Sequence, residues 1–195
     1  MSRSGAPFTA AQRLLHWLMA ICIVAMLFIG VGMMSTIMPK YVPLLATHKS
    51  LGITILILAL IRLAVRLRYG TPPLPRDLPT PMRLAAVWSQ YALYALMIGM
   101  PLIGWAMLSA GAYPIVLYGN VHLPPILAPS AALHTQLWNA HHYLALAFFA
   151  LILLHLAAAL FHALVRRDGV FESMASIGHS PGGPTPRARM SHLNR

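Results

Sequence analysis

Residues 141–162 read HHYLALAFFALILLHLAAALFH, an apolar run with four histidines and no Asp, Glu, Lys or Arg. An α-helix turns ~100° and rises ~1.5 Å per residue, so His141 and His155 project ~40° apart on one face and lie ~21 Å apart along the axis. His142 points ~140° away from His155, whereas His162, seven residues further on, returns to within ~20° of it. Histidine is costly in a segment of this polarity and marks a site. Two imidazoles at two depths on one face set the terms for the rest of the chain.

The whole sequence shares this character. Of 195 residues, 58% are hydrophobic and 9% charged, far from the usage of a soluble domain. About 20 residues cross a hydrocarbon core, and stretches 14–37, 44–66, 84–108 and 142–165 are long enough. The expected fold is an all-α membrane protein, a four-transmembrane-helix bundle over residues 14–167. A short N-terminus (1–13) precedes it, and a tail (168–195) rich in Pro, Gly, Ser and Arg is expected to be disordered. The net charge of +11 falls at helix ends instead of on a folded basic surface, which argues against nucleic acid as a partner. Arg3, Arg13, Arg62, Arg66, Arg68, Arg76, Arg83, Arg166, Arg167, Arg187, Arg189 and Arg195 flank one side of the spans, and only Lys40 and Lys49 the other. The positive-inside rule therefore predicts that both termini are cytoplasmic. The first apolar run is too long for a removable signal, and it contains His16. Cys22 is the single cysteine, so neither a disulfide nor a covalent CxxCH haem attachment can form. No glycine-rich phosphate loop and no zinc-spaced motif occurs.

Along the chain, Thr9 before AAQRLLHW suits a helix N-cap, which puts His16 near the cytoplasmic edge of span one. Trp17 reads as an interfacial anchor. Gly30 lies on the His16 face at the depth of the opposite leaflet, with Gly32 nearby; they either make room for a flat ring or serve small-residue helix packing. Pro39 and Pro43 fit an outer turn. His48 opens span two, and Arg62, fourteen residues later, shares its face; snorkelling and a counter-charge role are both open for it. Residues 66–83 form a basic, proline-rich linker that cannot continue a helix. Span three has no histidine, and Gly99, Pro101 and Gly104 make it scaffold and a cavity wall, with a kink expected at the proline. Residues 111–139 are expected to form a partly helical outer cap carrying His122, His134 and Trp138.

Depth decides which imidazoles can meet. His16 matches His155 near the cytoplasm, and His48 matches His141 near the outside. Two facing histidines with no thiolate or carboxylate suit haem iron, and iron with both axial positions filled by nitrogen moves electrons instead of carrying gas. The reading is two haem b groups, held non-covalently, that form a wire through the lipid bilayer.

The same residues carry a resemblance. The opening QRLLHW, the span-two run HKSLGITILILALIRLAVRLRY with TPP after it, and the histidine pattern of span four resemble the bacterial cytochrome b561 family of di-haem inner-membrane cytochromes. That family usually has tryptophan, histidine and an acid in span four, where this chain has Trp138, Asn139, Ala140, His141 and His142; helical register favours His141 as the ligand. The resemblance implies electron exchange with the quinone pool, and in characterised members oxidation of superoxide at the outer face with reduction of ubiquinone. Two other classes stay open: a b-type anchor subunit of a hydrogenase or dehydrogenase, with its protein partner unknown, and a haem-free histidine-based ion transporter. Haem propionates need cations. Arg13 and Arg62 are the candidates inside and Lys49 the candidate outside. His162 has no partner histidine at its depth; it is a candidate quinone ligand or a helix-end histidine interacting with the C-terminal dipole.

Overall fold

Thr9 starts the first helix by a reciprocal cap. Its hydroxyl accepts from the Gln12 backbone N–H (3.2 Å) while Gln12 Oε1 accepts from the Thr9 N–H (2.9 Å), so two otherwise orphaned donors are satisfied at once. The Gln12 side chain then donates to the Gly70 carbonyl at 2.7 Å, tying the start of helix α1 (Ala10–Ser35) to the end of α2 (Tyr41–Tyr69). The computed structural model describes residues 8–35, 39–75 and 77–175. Positions 1–7, 36–38, 76 and 176–195, including most of the expected tail, lie outside the described residues.

α3 (Thr80–Ala110) begins with Pro81 in its first turn, where a missing N–H costs nothing, and is continuous through Pro101. α4 (Ala131–Phe161) passes directly into a π-turn (His162–Arg166), and a short α5 (Val170–Ala175) follows. Helices α1, α2, α3 and α4 with its π-turn are long and apolar enough to cross a membrane. The end at which α1 begins and the π-turn finishes is called inner below.

Three sequence expectations change. The fourth span was placed at 142–165, but the helix starts at Ala131. Ser130 caps it by accepting from the Leu133 N–H at 3.3 Å, and no Gly or Pro breaks the eleven residues before His142. At ~1.5 Å per residue it exceeds the ~30 Å hydrocarbon core, so its first turns stand outside and His141 sits well down the helix. The outer cap is partly helical, as expected, through those first turns, but ahead of them it also holds a two-stranded hairpin, β1 (Val116–Leu117) with β2 (Val121–His122). Its turn runs through Tyr118 (φ 49°) and Gly119 (φ 84°), and glycine adopts the left-handed region at the second of these without steric cost. In the expected disordered tail, residues 170–175 are helical and docked: the Trp17 indole N–H donates to the Met174 carbonyl at 3.1 Å.

Packing is uneven. α1 lies along α2, α2 along α3 and α3 along α4, while neither α1 nor α2 runs closely along α4. Between those separated backbones, halfway along the bundle, Met19, Ala59, Met97 and Phe148 make one buried layer, a residue from each helix. Phe148 is the only buried residue of α4 and stands seven positions from both His141 and His155. A four-helix bundle ordinarily buries a whole stripe of each helix. Here α4 meets α1 and α2 through one plug and two pairs of histidines.

Candidate functional site

His16 of α1 reaches across to His155 of α4, ring centroids 6.3 Å apart with planes inclined by 64°. His48 of α2 reaches to His141 of α4, 6.1 Å apart and inclined by 65°. A metal–imidazole nitrogen bond is about 2 Å long, and a ring nitrogen lies about 1.1 Å from its ring centre. Two imidazoles on opposite sides of one metal ion thus have centroids about 6.2 Å apart, and both pairs match. Stacked or hydrogen-bonded imidazoles have no reason to share that separation at two depths. Each pair therefore fits an iron with a flat macrocycle between two histidines. Among the described residues no cluster of three His, Cys, Asp or Glu side chains exists, so the protein atoms in place suit a two-ligand centre.

Nδ1 of His16, His48 and His141 is buried and makes no hydrogen bond of normal geometry; the Met100 backbone stands close to the His141 ring. Behind His141 stands Gly104 of α3. A Cβ there would sit 3.4 Å from the His141 Cε1 and 3.7 Å from its Nδ1, and any larger side chain would push the ring. Sequence reasoning placed Gly104 in a wall without seeing what it faces; a glycine in a helix interior, at a cost of about 1 kcal/mol, was the available signal. A Cβ built at Gly32 would lie 3.5 Å from Leu44 of α2, whereas nothing lies within 4 Å of one built at Gly30. Of the two glycine readings, packing applies to Gly32 and open space to Gly30.

The other candidates divide by position. Arg62 interacts electrostatically with both His16 and His155 and lies against the Tyr94 ring at 5.9 Å, with Arg66 at 5.7 Å. Arg13 donates to the Phe8 carbonyl at 2.9 Å. Lys49 lines a cleft of ≈ 600 Å³ between α2 and the hairpin, together with Ser50, Thr54 and Tyr118. There the Tyr118 hydroxyl meets the hydroxyl of Thr54 and donates to the Ser50 carbonyl at 3.1 Å. His142 turns to Tyr143, 5.8 Å away, and stays out of the His48 pair. His122 is exposed on β2. His134 bonds the Met107 carbonyl at 2.9 Å and packs with Tyr113 and Trp138; Gly111 makes that corner possible, since a Cβ would fall 2.6 Å from the Tyr113 ring.

His162 lies in the π-turn, where its Nδ1 is 2.8 Å from Asp168 Oδ2. The same oxygen accepts from Arg166 Nε at 2.9 Å, and Arg166 also binds Asp77 at 2.7 Å. Burial pushes the Asp168 carboxyl up, but hydrogen bonds from Arg166, His162 and the Val170 N–H outweigh it and hold it below the usual carboxylate range. Asp168 is therefore an ion at neutral pH. The π-turn and its Asp168 partner were not legible beforehand, because nothing in HALVRRD sets an i→i+5 turn apart from an α-helical one.

The model of the family described as prokaryotic cytochrome b561 matches residues 8–176. Cytochrome b561 homolog 2 of Escherichia coli K12 is 30% identical over 171 residues, 86% of this chain and 90% of that one. A probable superoxide oxidase CybB of Yersinia pestis is 34% identical over 128 residues, 65% of this chain and 72% of that one. Cytochrome b561 homolog 1 of Escherichia coli K12 is 26% identical over 171 residues, 86% of this chain and 96% of that one.

Proposed function

The chain belongs to the prokaryotic cytochrome b561 family of haem b-binding, multi-pass bacterial membrane proteins that transfer electrons, and from that premise we propose that it carries two haems and oxidises superoxide with ubiquinone as acceptor. The inner haem is assigned to His16 and His155 and the outer haem to His48 and His141. The observation that carries the assignment is the pair of ring separations, 6.3 and 6.1 Å, each suited to one iron.

Haem bound between two imidazoles supplies reversible one-electron chemistry with no coordination position left open. The protein's own groups do the rest. Burial keeps His16, His48 and His141 aimed across the gap, and Gly104 leaves His141 its place. Arg62 is the propionate partner proposed for the inner site, with Arg13 beside it, and Lys49 the one proposed outside. The stoichiometry is two superoxide ions giving two O₂ and two electrons, and one ubiquinone taking those electrons with two protons to give ubiquinol.

Superoxide as donor is supported by the name of the Yersinia relative and by charge. The sequence has three carboxylate side chains, Asp77, Asp168 and Glu172, and all belong to the inner end. The outer end offers Lys40 and Lys49 with no opposing acid, so an approaching anion is attracted, and a surface of one sign raises on-rates. The positive-inside distribution supports an inner-membrane location with both termini cytoplasmic. His162 is proposed as the quinone ligand because it continues the His141–His155 face to the inner surface.

The test is the reduced-minus-oxidised visible spectrum of the purified protein with its haem-to-protein ratio. Two haems with sharp bis-histidine bands are expected. One haem per chain overturns the double assignment, and a spectrum without haem bands would return the histidines to ion transport. Superoxide-driven ubiquinone-1 reduction in proteoliposomes tests the donor; an iron–sulfur protein that co-purifies and is required for quinone reduction favours the anchor-subunit reading.

A further inference from the structure

Asp77, Asp168 and Glu172, the only carboxylate side chains of the sequence, all lie near the inner end of α4, and one of them holds the single histidine left over from the two pairs on the α4 face. The π-turn brings this about. Its defining bond, from the Arg167 N–H to the His162 carbonyl (2.7 Å), inserts one residue more than an α-turn. The chain then reverses at Arg167 (φ 51°) and Gly169 (φ 80°), so Asp168 comes back over the His162 ring. π-turns inside α-helices occur frequently at functional sites.

The polarity of the pair follows. A carboxylate only accepts, so His162 Nδ1 carries the hydrogen and donates it. Nε2 makes no hydrogen bond among the described residues and is not among the buried polar atoms that lack a partner, which leaves it accessible. The side chains grow more open outward: His162 and Asp168 are 15% and 10% exposed, and Asp77, at the far side of Arg166, 74%. Charged groups on the neighbouring elements are Arg166 and Arg167 of the π-turn, Glu172 of α5, Asp77 between α2 and α3, and Arg13 of α1. Arg166 bridges both aspartates, and Arg13 is turned to the Phe8 carbonyl.

We propose that Asp168 is a positioning residue that holds His162 as the proton donor for quinone reduction, with Nδ1–H on the carboxylate and Nε2–H offered to a quinone carbonyl oxygen. The proposal rests on the quinone reading above. Reduction of a quinone adds two electrons and two protons and turns both C=O groups into C–OH. The electrons are those taken from two superoxide ions. For the nearer oxygen, the Nε2–H bond of an imidazolium breaks and an O–H bond forms; the neutral ring keeps its Nδ1–H on Asp168 and regains a proton from the inner aqueous phase. The other oxygen takes its proton from that phase. A fixed carboxylate orients the ring in one tautomer, as in a hydrolase triad.

The test follows ubiquinone-1 reduction by the full-length, haem-loaded protein in proteoliposomes between pH 5.5 and 9, with haem content and spectrum recorded in parallel. Asp168→Asn keeps an acceptor for Nδ1–H but removes the charge. It is expected to lower the rate at neutral pH by about tenfold or more, to change the pH profile of the rate, and to leave the haem spectrum unchanged. Asp168→Glu restores most of the profile. Asp77→Asn, which cuts the outer ion pair alone, keeps the parental profile. Selectively ¹⁵N-labelled histidine gives a readout independent of turnover: the His162 Nδ1 signal moves in the Asn variant because its acceptor has lost its charge. Should Asp168→Asn lose haem, the Glu variant and the histidine spectra decide instead. A parental pH profile or unmoved ring signals overturn the role of Asp168 while His162→Ala still abolishes quinone reduction. If His162→Ala reduces quinone at the parental rate, the placement of the quinone falls, and the proposal with it.

Discussion

The inner pair, His16 with His155, stands among charges: Arg62 lies within electrostatic reach of both rings, and Arg13, Arg66, Arg166 and the three acids surround that end. The outer pair, His48 with His141, stands among apolar groups and hydroxyls, with Gly104 against one ring and Lys49 as the neighbouring cation. The ring separations nonetheless differ by only 0.2 Å, 6.3 against 6.1 Å. The two pairs thus share one ring geometry while their electrostatic surroundings differ. Under the two-haem proposal, two centres of one chemistry in unlike surroundings suit a directional electron path, since the cofactor in the more positive setting holds its electron more tightly.

The comparison breaks most visibly at the ligands. His141→Ala is expected to remove the outer haem and leave the inner one, while His142→Ala removes neither; haem content and low-temperature spectra read the result. Loss of haem from the His142 variant alone would overturn the assignment of His141. Next in size is Arg62→Gln. Removing a cation stabilises the oxidised, more positive iron, so the inner potential should fall by tens of mV with the outer one nearly unmoved. Lys49→Gln should lower the outer potential by less and leave the inner one nearly unmoved, because solvent and salt screen a partly exposed charge. Redox titration of both variants checks this, and equal shifts at both centres would remove the distinction between the ends.

Packing effects come below these. Gly104→Val overfills the space behind His141 and should cost about 1–3 kcal/mol, broadening the outer haem band and sparing the inner; thermal unfolding followed at both bands would register it. Smallest is Thr9→Ala, which removes the hydroxyl of the α1 cap at about 1 kcal/mol and should lower the melting temperature slightly with no spectral change.

The four spans, the family and the depth matching of His16 with His155 and His48 with His141 could all be read in advance. They rest on local or periodic quantities: stretch length against hydrocarbon thickness, 3.6-residue periodicity, and the count of charges on either side. The early start of α4 could have been read too, since Ser130 precedes an unbroken run to His141; the prolines upstream at 114, 124, 125 and 129 drew the whole segment toward a loop. The hairpin was signalled by YGN between VL and VH, a glycine turn between β-forming pairs, but two strands of two residues lie below what periodicity can resolve.

Which face of α3 meets His141, why α5 docks on Trp17, and how Asp168 returns over His162 belong to tertiary structure alone. Each depends on contacts between residues far apart in the chain, or on the choice between an α-turn and a π-turn that differ by one hydrogen bond. No periodicity in the sequence encodes either. The histidine spacing of α4 follows from helix geometry, whatever surrounds it; what those histidines face, and with which charges beside them, is settled only when the other three helices pack.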